Sequence, residues 1–185
     1  VSRRLRRETW RAMEDARKNG LVRCLGVSNY TVPHLDELMT YAARPPDVVQ
    51  SECHLLYSNR HVRRWSSAAP LLKRAERTGP PDTRVTSRCD GRDVHFQAYG
   101  PFGGADGTTG RGAIQHPVVE KIARRHGVSG AQVALRWMTQ RGISVLPKSS
   151  KEDRAVTNAV QNFDLSSDDF AVLDEIQDDR PRYWD

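Results

Sequence analysis

The sequence runs to 185 residues, enough for one domain with its own core but short of the roughly 250 residues typical of a closed eight-stranded β/α barrel. Its net charge of +6 is densest in the opening run Ser2-Arg3-Arg4-Leu5-Arg6-Arg7; with no zinc-finger spacing, heptad or aromatic-studded sheet beside it, this reads as a solvated helix start. No stretch approaches the ~20 apolar residues of a membrane span, and Cys24, Cys53 and Cys89, odd in number and scattered, suggest neither a zinc site nor a disulfide framework. Neither nucleic acid nor a membrane is an expected partner, and a reducing, cytoplasmic setting fits best.

In chain order, a helix is expected from about Glu8 to Lys18, stopped by Asn19-Gly20. Val22 to Val27 reads as a buried strand ending at Ser28-Asn29, after which Thr31 caps a helix carrying Leu35, Leu38, Met39 and Ala42. Asp47 to Cys53 is the next strand, with a helix around Ala69 to Arg77. Val94 to Tyr99 follows, then a glycine-rich loop to Gly112 and two helical stretches, His116 to His126 and Ser129 to Gln140, the second opened by a Ser129-x-x-Gln132 capping box. Ser144 to Leu146 is the last strand, followed by Ser150-x-x-Asp153 and a helix through Ala159, then Ser166-x-x-Asp169 and a final helix.

Strands separated by helices of this length must be parallel, because only a crossover returns the chain to the same edge. The class is therefore α/β; the alternation suits a doubly wound sheet and a barrel equally. In both, ligands lie at the C-terminal ends of the strands. Those ends carry Ser28 and Asn29; Gln50, Glu52 and His54; Tyr99; and Lys148, Ser149 and Ser150. Lys148-Ser149-Ser150 leads into a helix start with Arg154 one turn in, an arrangement that favours a phosphate, with plain N-capping by solvated cations as the alternative. Tyr99 suits either a ring stack or a core position. The glycines after it lack Gly-x-Gly-x-x-Gly spacing, so a Rossmann site is not supported.

Taken together, Gly20-x-Val22-Arg23-x-x-Gly26-Val27-Ser28-Asn29, Gln50-x-Glu52-Cys53-His54, Ala98-Tyr99-x-Pro101-x-Gly103, Ala131-Gln132-Val133-Ala134-Leu135-Arg136-Trp137 and Pro147-Lys148-Ser149-Ser150 with Arg154 and Asn158 resemble successive signatures of the aldo-keto reductases. Their order and approximate spacing hold from about Trp10 to Ile176. The resemblance implies the C-terminal half, strands five to eight, of a parallel (β/α)8 TIM barrel that binds NADP(H) and reduces aldehydes or ketones by hydride transfer. It further implies that Ser28, Asn29 and Gln50 hold the nicotinamide carboxamide and that Tyr99 stacks on the ring. Gly100 and Phe102 would lie along the pyrophosphate. Lys148, Ser149, Ser150 and Arg154 would grip the 2′-phosphate, and Asn158 would contact the adenine.

The family's chemistry depends on an Asp, Tyr, Lys and His tetrad from the first four strands, and none of the four has an equivalent here. Residues 1–185 are therefore expected to form a partial oxidoreductase domain that is inactive alone and serves a small carbonyl substrate only in a complete enzyme. The alternative is a catalytically silent NADP(H)-binding or regulatory protein. The sequence leaves the oligomeric state open. It departs from the family pattern at Val49, His54-Leu55 and Thr157, and Pro80 to Arg92 reads as an inserted surface loop.

Overall fold

The computed structural model describes residues 2–68, 94–103 and 110–177. Its elements are α1 (Arg3–Lys18), β1 (Gly26–Ser28), α2 (Val32–Met39), β2 (Val48–Glu52), α3 (Arg60–Ala68), β3 (His95–Tyr99), α4 (Gly110–Ile114), α5 (Pro117–His126), α6 (Gly130–Thr139), β4 (Ser144–Leu146), α7 (Glu152–Ala159) and α8 (Ser167–Glu175). The strands lie in one sheet in the order β1-β2-β3-β4. The β1–β2 and β3–β4 pairs are parallel, as the crossover argument requires. The chain forms two compact units, Val1–Gln50 with Arg60–Phe96, and Ser51–Asn59 with Gln97–Asp185.

In the first unit the basic opening run lies inside α1, which starts at Arg3 and not near Glu8. Ser2 Oγ accepts from the Leu5 amide, a capping bond that lets the helix begin before its first acid. Trp10 anchors α1 in the core, 2% exposed, with its indole N–H donating to Glu14 Oε1 at 2.9 Å. The expected strand from Val22 shortens to Gly26–Ser28. The Leu21 amide still belongs to the turn that closes α1, donating to the Ala16 carbonyl. The Leu25 amide is taken by the Asp47 side chain at 2.7 Å, so pairing starts only at Gly26 opposite Val48. The α2 helix begins after Thr31 as expected but stops at Met39, so Ala42 falls outside it.

A helix missed in the sequence, α3, presents Val62 and Ser66 to the interior, a helical turn apart. The helix expected around Ala69 to Arg77 and the insertion assigned to Pro80 to Arg92 lie outside the described residues. Cys53 is free and buried, whereas Cys24 is disulfide-bonded, which the scattered cysteines of the sequence did not suggest.

The second unit is organised by α6. Ser129 and Gln132 form the expected capping box, and Val133, Ala134, Leu135, Trp137 and Met138 are all fully buried. This apolar surface packs on α4, α5, α7 and β4. Ser166 and Asp169 form the second expected box at α8, where Asp169 also receives Arg125 and, at 3.2 Å, His126. By contrast α7 buries no residue. Among the described residues no helix is long and apolar enough to cross a membrane.

Candidate functional site

Strand alternation decides which side chains are available. On β1 and β2, Val27 and Val49 are buried, so Ser28 and Gln50, one step further on in each strand and paired in register, share the opposite, less buried face. Asn29 leaves the strand with φ of 57°, and its amide donates to the Gln50 carbonyl at 3.0 Å. Asparagine tolerates this left-handed backbone better than most residues. The first unit thus gathers Ser28, Asn29 and Gln50, three amide-complementary groups, at the ends of adjacent strands.

In the second unit, Ala98 is fully buried and Tyr99, next along β3, faces the other way and is half-buried. The chain turns immediately: Gly100 has φ of 61°, and the Gly103 amide donates to the Gly100 carbonyl at 2.9 Å. Phe102 is half-buried in this turn.

Lys148, Ser149 and Ser150 follow β4 as expected, but the helix starts one residue later than expected. Lys151 is the N-cap, without a side-chain cap bond. Ser149, and not Ser150, ties the approach, its Oγ accepting from the Lys151 amide at 3.1 Å and donating to the Lys151 carbonyl at 2.8 Å. Ser149 is closer to the backbone polar groups that need satisfying, so Ser150 is left exposed. The first turn of α7 also carries Glu152 and Asp153, which already complement the helix dipole and work against a bound anion. Lys148, Lys151 and Arg154 outnumber them; all three are exposed, and none has an ion pair among the described residues.

Beneath α7 lies a groove of about 400 Å³ lined by Thr139, Val145, Pro147, Ala155, Asn158, Ala159 and Gln161. Two of these are immediate chain neighbours of the cations, Pro147 of Lys148 and Ala155 of Arg154. Thr139 and Gln161 close one side through a 2.6 Å bond, and Gln161 donates to the Asn158 carbonyl at 3.4 Å. Sequence reading found Asn158 but missed the groove. Its signal was Ala155 and Ala159 at helical spacing, where larger side chains would fill the space. Flat or apolar groups fit such a lining, and Lys148 and Arg154 adjoin it along the chain.

No group of three or more His, Cys, Asp or Glu among the described residues is arranged to hold a metal ion. His54, two residues beyond the end of β2, is fully buried. Its Nδ1 accepts from the Leu56 and Tyr57 amides at 3.2 and 3.1 Å, which leaves the proton on Nε2, facing Glu52 Oε1 at 2.9 Å.

Comparison with known proteins gives a consistent result. The chain is 32% identical over 174 residues to the glyoxal reductase of Bacillus subtilis, covering 94% of this chain and 52% of that protein. It is 33% identical over 175 residues to aldo-keto reductase family 1 member A1 of Bos taurus, covering 92% and 47%. The chain spans about half the length of these curated relatives. Among solved structures, MGS-M4, an aldo-keto reductase from a Medee basin deep-sea metagenome library, superposes with a TM-score of 0.79 at 25% identity, over 100% of this chain and 58% of that one. The aldo-keto reductase AKR2E5, solved with NADPH, gives 0.70 at 28% identity, over 94% and 48%. The model for the Aldo/keto reductase family matches residues 4–178.

Proposed function

The chain belongs to the aldo/keto reductase family, and on that footing we propose that it binds NADP(H) and supplies the cofactor-holding, C-terminal half of a barrel that reduces small carbonyl compounds. Strands β1 to β4 take the places of strands five to eight in this reading, supported by the order of the motifs from Trp10 to Ile176. The observation that carries it is the set of exposed cations Lys148, Lys151 and Arg154 beside the groove under α7. A 2′-phosphate needs such charge, and a nicotinamide adenine dinucleotide without that phosphate does not.

The residues present fit the group. In the second unit, Lys148 and Arg154 hold the 2′-phosphate with Ser149 and Ser150, Asn158 meets the adenine, Gly100 and Phe102 run along the pyrophosphate, and Tyr99 stacks on the nicotinamide. In the first unit, Ser28, Asn29 and Gln50 hold the carboxamide. When bound, the cofactor supplies a hydride.

This half holds and orients, and the proton that completes carbonyl reduction must come from residues outside it. The sequence has no equivalent of the family's Asp, Tyr, Lys and His motifs, which also supports a second reading, a catalytically silent NADP(H)-binding or regulatory protein.

The test is Arg154→Ala. A charge-assisted contact is worth about 1.5–3 kcal/mol, so the variant should bind NADPH about 10- to 100-fold more weakly, with NADH little changed. Equal losses for both would assign Arg154 to the fold.

A further inference from the structure

The buried histidine after β2 has no place in the function proposed above, yet both of its ring nitrogens and its backbone are engaged. His54 and Tyr57 exchange backbone bonds, His54 N to Tyr57 O at 2.9 Å and Tyr57 N to His54 O at 3.1 Å. The imidazole is held at both nitrogens, by two backbone amides at Nδ1 and by Glu52 at Nε2. Around it, Asn59 takes a left-handed φ of 45°, and its Nδ2 donates to Ser51 Oγ and the Glu52 carbonyl at 2.9 and 3.0 Å. The Cys53 thiol donates to the Ser58 carbonyl at 3.4 Å. The ring is therefore a fixed surface.

What rests on that surface is the turn after β3. A Cβ built at Gly103 would lie 3.2 Å from His54 Nδ1, 3.3 Å from Cγ and 3.4 Å from Cε1. The φ of +80° at Gly103 independently demands glycine. Gly103 closes the turn through its bond to the Gly100 carbonyl, so the height of the imidazole sets the height of Gly100 and Phe102.

We propose that His54 is a positioning residue: its imidazole is the floor of the Gly100–Gly103 turn and holds that turn where its backbone meets the pyrophosphate and nicotinamide end of the dinucleotide. The proposal rests on the NADP(H) reading above. It gives Gly103 a reason beyond backbone freedom, namely that a side chain there crowds the ring. It also gives the Glu52–His54 pair a role without proton transfer.

The experiment measures two ligands by fluorescence titration, NADPH and adenosine 2′,5′-bisphosphate, on the wild-type chain and on Gly103→Ala. The bisphosphate carries the adenine and 2′-phosphate but nothing that reaches the turn. Overpacking of the turn against the ring should weaken NADPH by about 10- to 100-fold while leaving the bisphosphate unchanged. In a His54→Ala background the added methyl occupies vacated space, so its penalty on NADPH should shrink. If that background does not fold, His54→Gln takes its place, and a Gly103→Ala penalty that is the same with and without the imidazole overturns the positioning role. Unchanged NADPH affinity in Gly103→Ala, or an equal loss of both ligands, overturns the positioning role. A wild-type chain that binds neither ligand overturns the NADP(H) reading itself, and this inference with it.

Discussion

The Arg17 guanidinium donates to Asp47 Oδ2 at 2.8 Å, and that carboxylate is almost wholly buried, its side chain 1% exposed. Arg44 reaches the other oxygen at 2.9 Å, and the Leu25 amide shares Oδ2. Asp47 thereby joins the end of α1 to the strand entry just before β1. Its own carbonyl accepts from the His95 amide at 2.8 Å, so one residue ties three segments of the first unit.

Replacing Asp47 with Ala should therefore destabilise the chain by about 3 kcal/mol, because two guanidiniums and a buried amide lose their acceptor together. Urea denaturation measures this. A loss within ±0.5 kcal/mol, the range of an ordinary surface substitution, would mean that water replaces the carboxylate without cost.

A pH effect follows from a separate ion pair in this unit, Arg6 Nη2 to Glu37 Oε2 at 2.5 Å. The hydrogen bond from Arg6 holds the Glu37 carboxyl below the usual glutamate range, and the same bond raises the guanidinium. A depressed carboxyl contributes stability that is present above its unfolded pKa and lost as pH falls through the folded one. Arg6→Gln should consequently cost stability at neutral pH and much less at pH values below the glutamate range. Denaturation at the two pH values tests it; a penalty independent of pH would assign the effect to packing.

Helix capping gives a third test. Ser129 Oγ accepts from the Gln132 amide at 3.2 Å while Gln132 Oε1 takes the Ser129 amide at 3.0 Å. Ser129→Ala should cost about 1 kcal/mol, and Ser150→Ala, exposed ahead of α7, should fall within about ±0.5 kcal/mol. The same urea midpoints discriminate the two.

The capping boxes at Ser129 and Ser166 were legible in the sequence because a serine three residues before Gln132 or Asp169 satisfies amides that any helix start leaves open. The strands after Asp47 were legible because Val48 and Val49 run together in β2 and the apolar Phe96 and Ala98 alternate with polar residues in β3. What failed was the stretch from Val22, where apolar character suggested a strand, although Val22 and Leu21 are exposed, 41% and 76%. Hydrogen-bond partners decided that boundary, and Asp47 lies 22 residues away from the Leu25 amide it captures. The α3 helix was hidden for another reason. Its sequence, RHVRRWSSA, shows few apolar residues, and its interior face is Val62 and Ser66.

At the candidate site, residue types at strand ends were readable but their surroundings were not. Lys148 and Arg154 were readable as candidate partners for an anion, whereas nothing in the sequence showed that Glu52 and His54 are buried. No periodicity reveals that Gly103 lies on the His54 ring, since nearly fifty residues separate them.

Carbonyl reduction by the isolated chain is expected to be negligible. General acid catalysis contributes roughly 10²–10⁴-fold, and stabilisation of the developing alkoxide a similar factor. Following NADPH absorbance with a panel of aldehydes checks this. Turnover at about 1 per second or faster, an ordinary enzyme rate, would mean that a proton donor has been overlooked.

The most direct test of the central claim is a paired titration of the purified wild-type chain with NADPH and NADH, followed by fluorescence at fixed ionic strength. Lys148 and Arg154 acting together on the 2′-phosphate predict a preference for NADPH of very roughly 10²–10⁴-fold. Equal affinity for the two cofactors, or binding of neither, would contradict it.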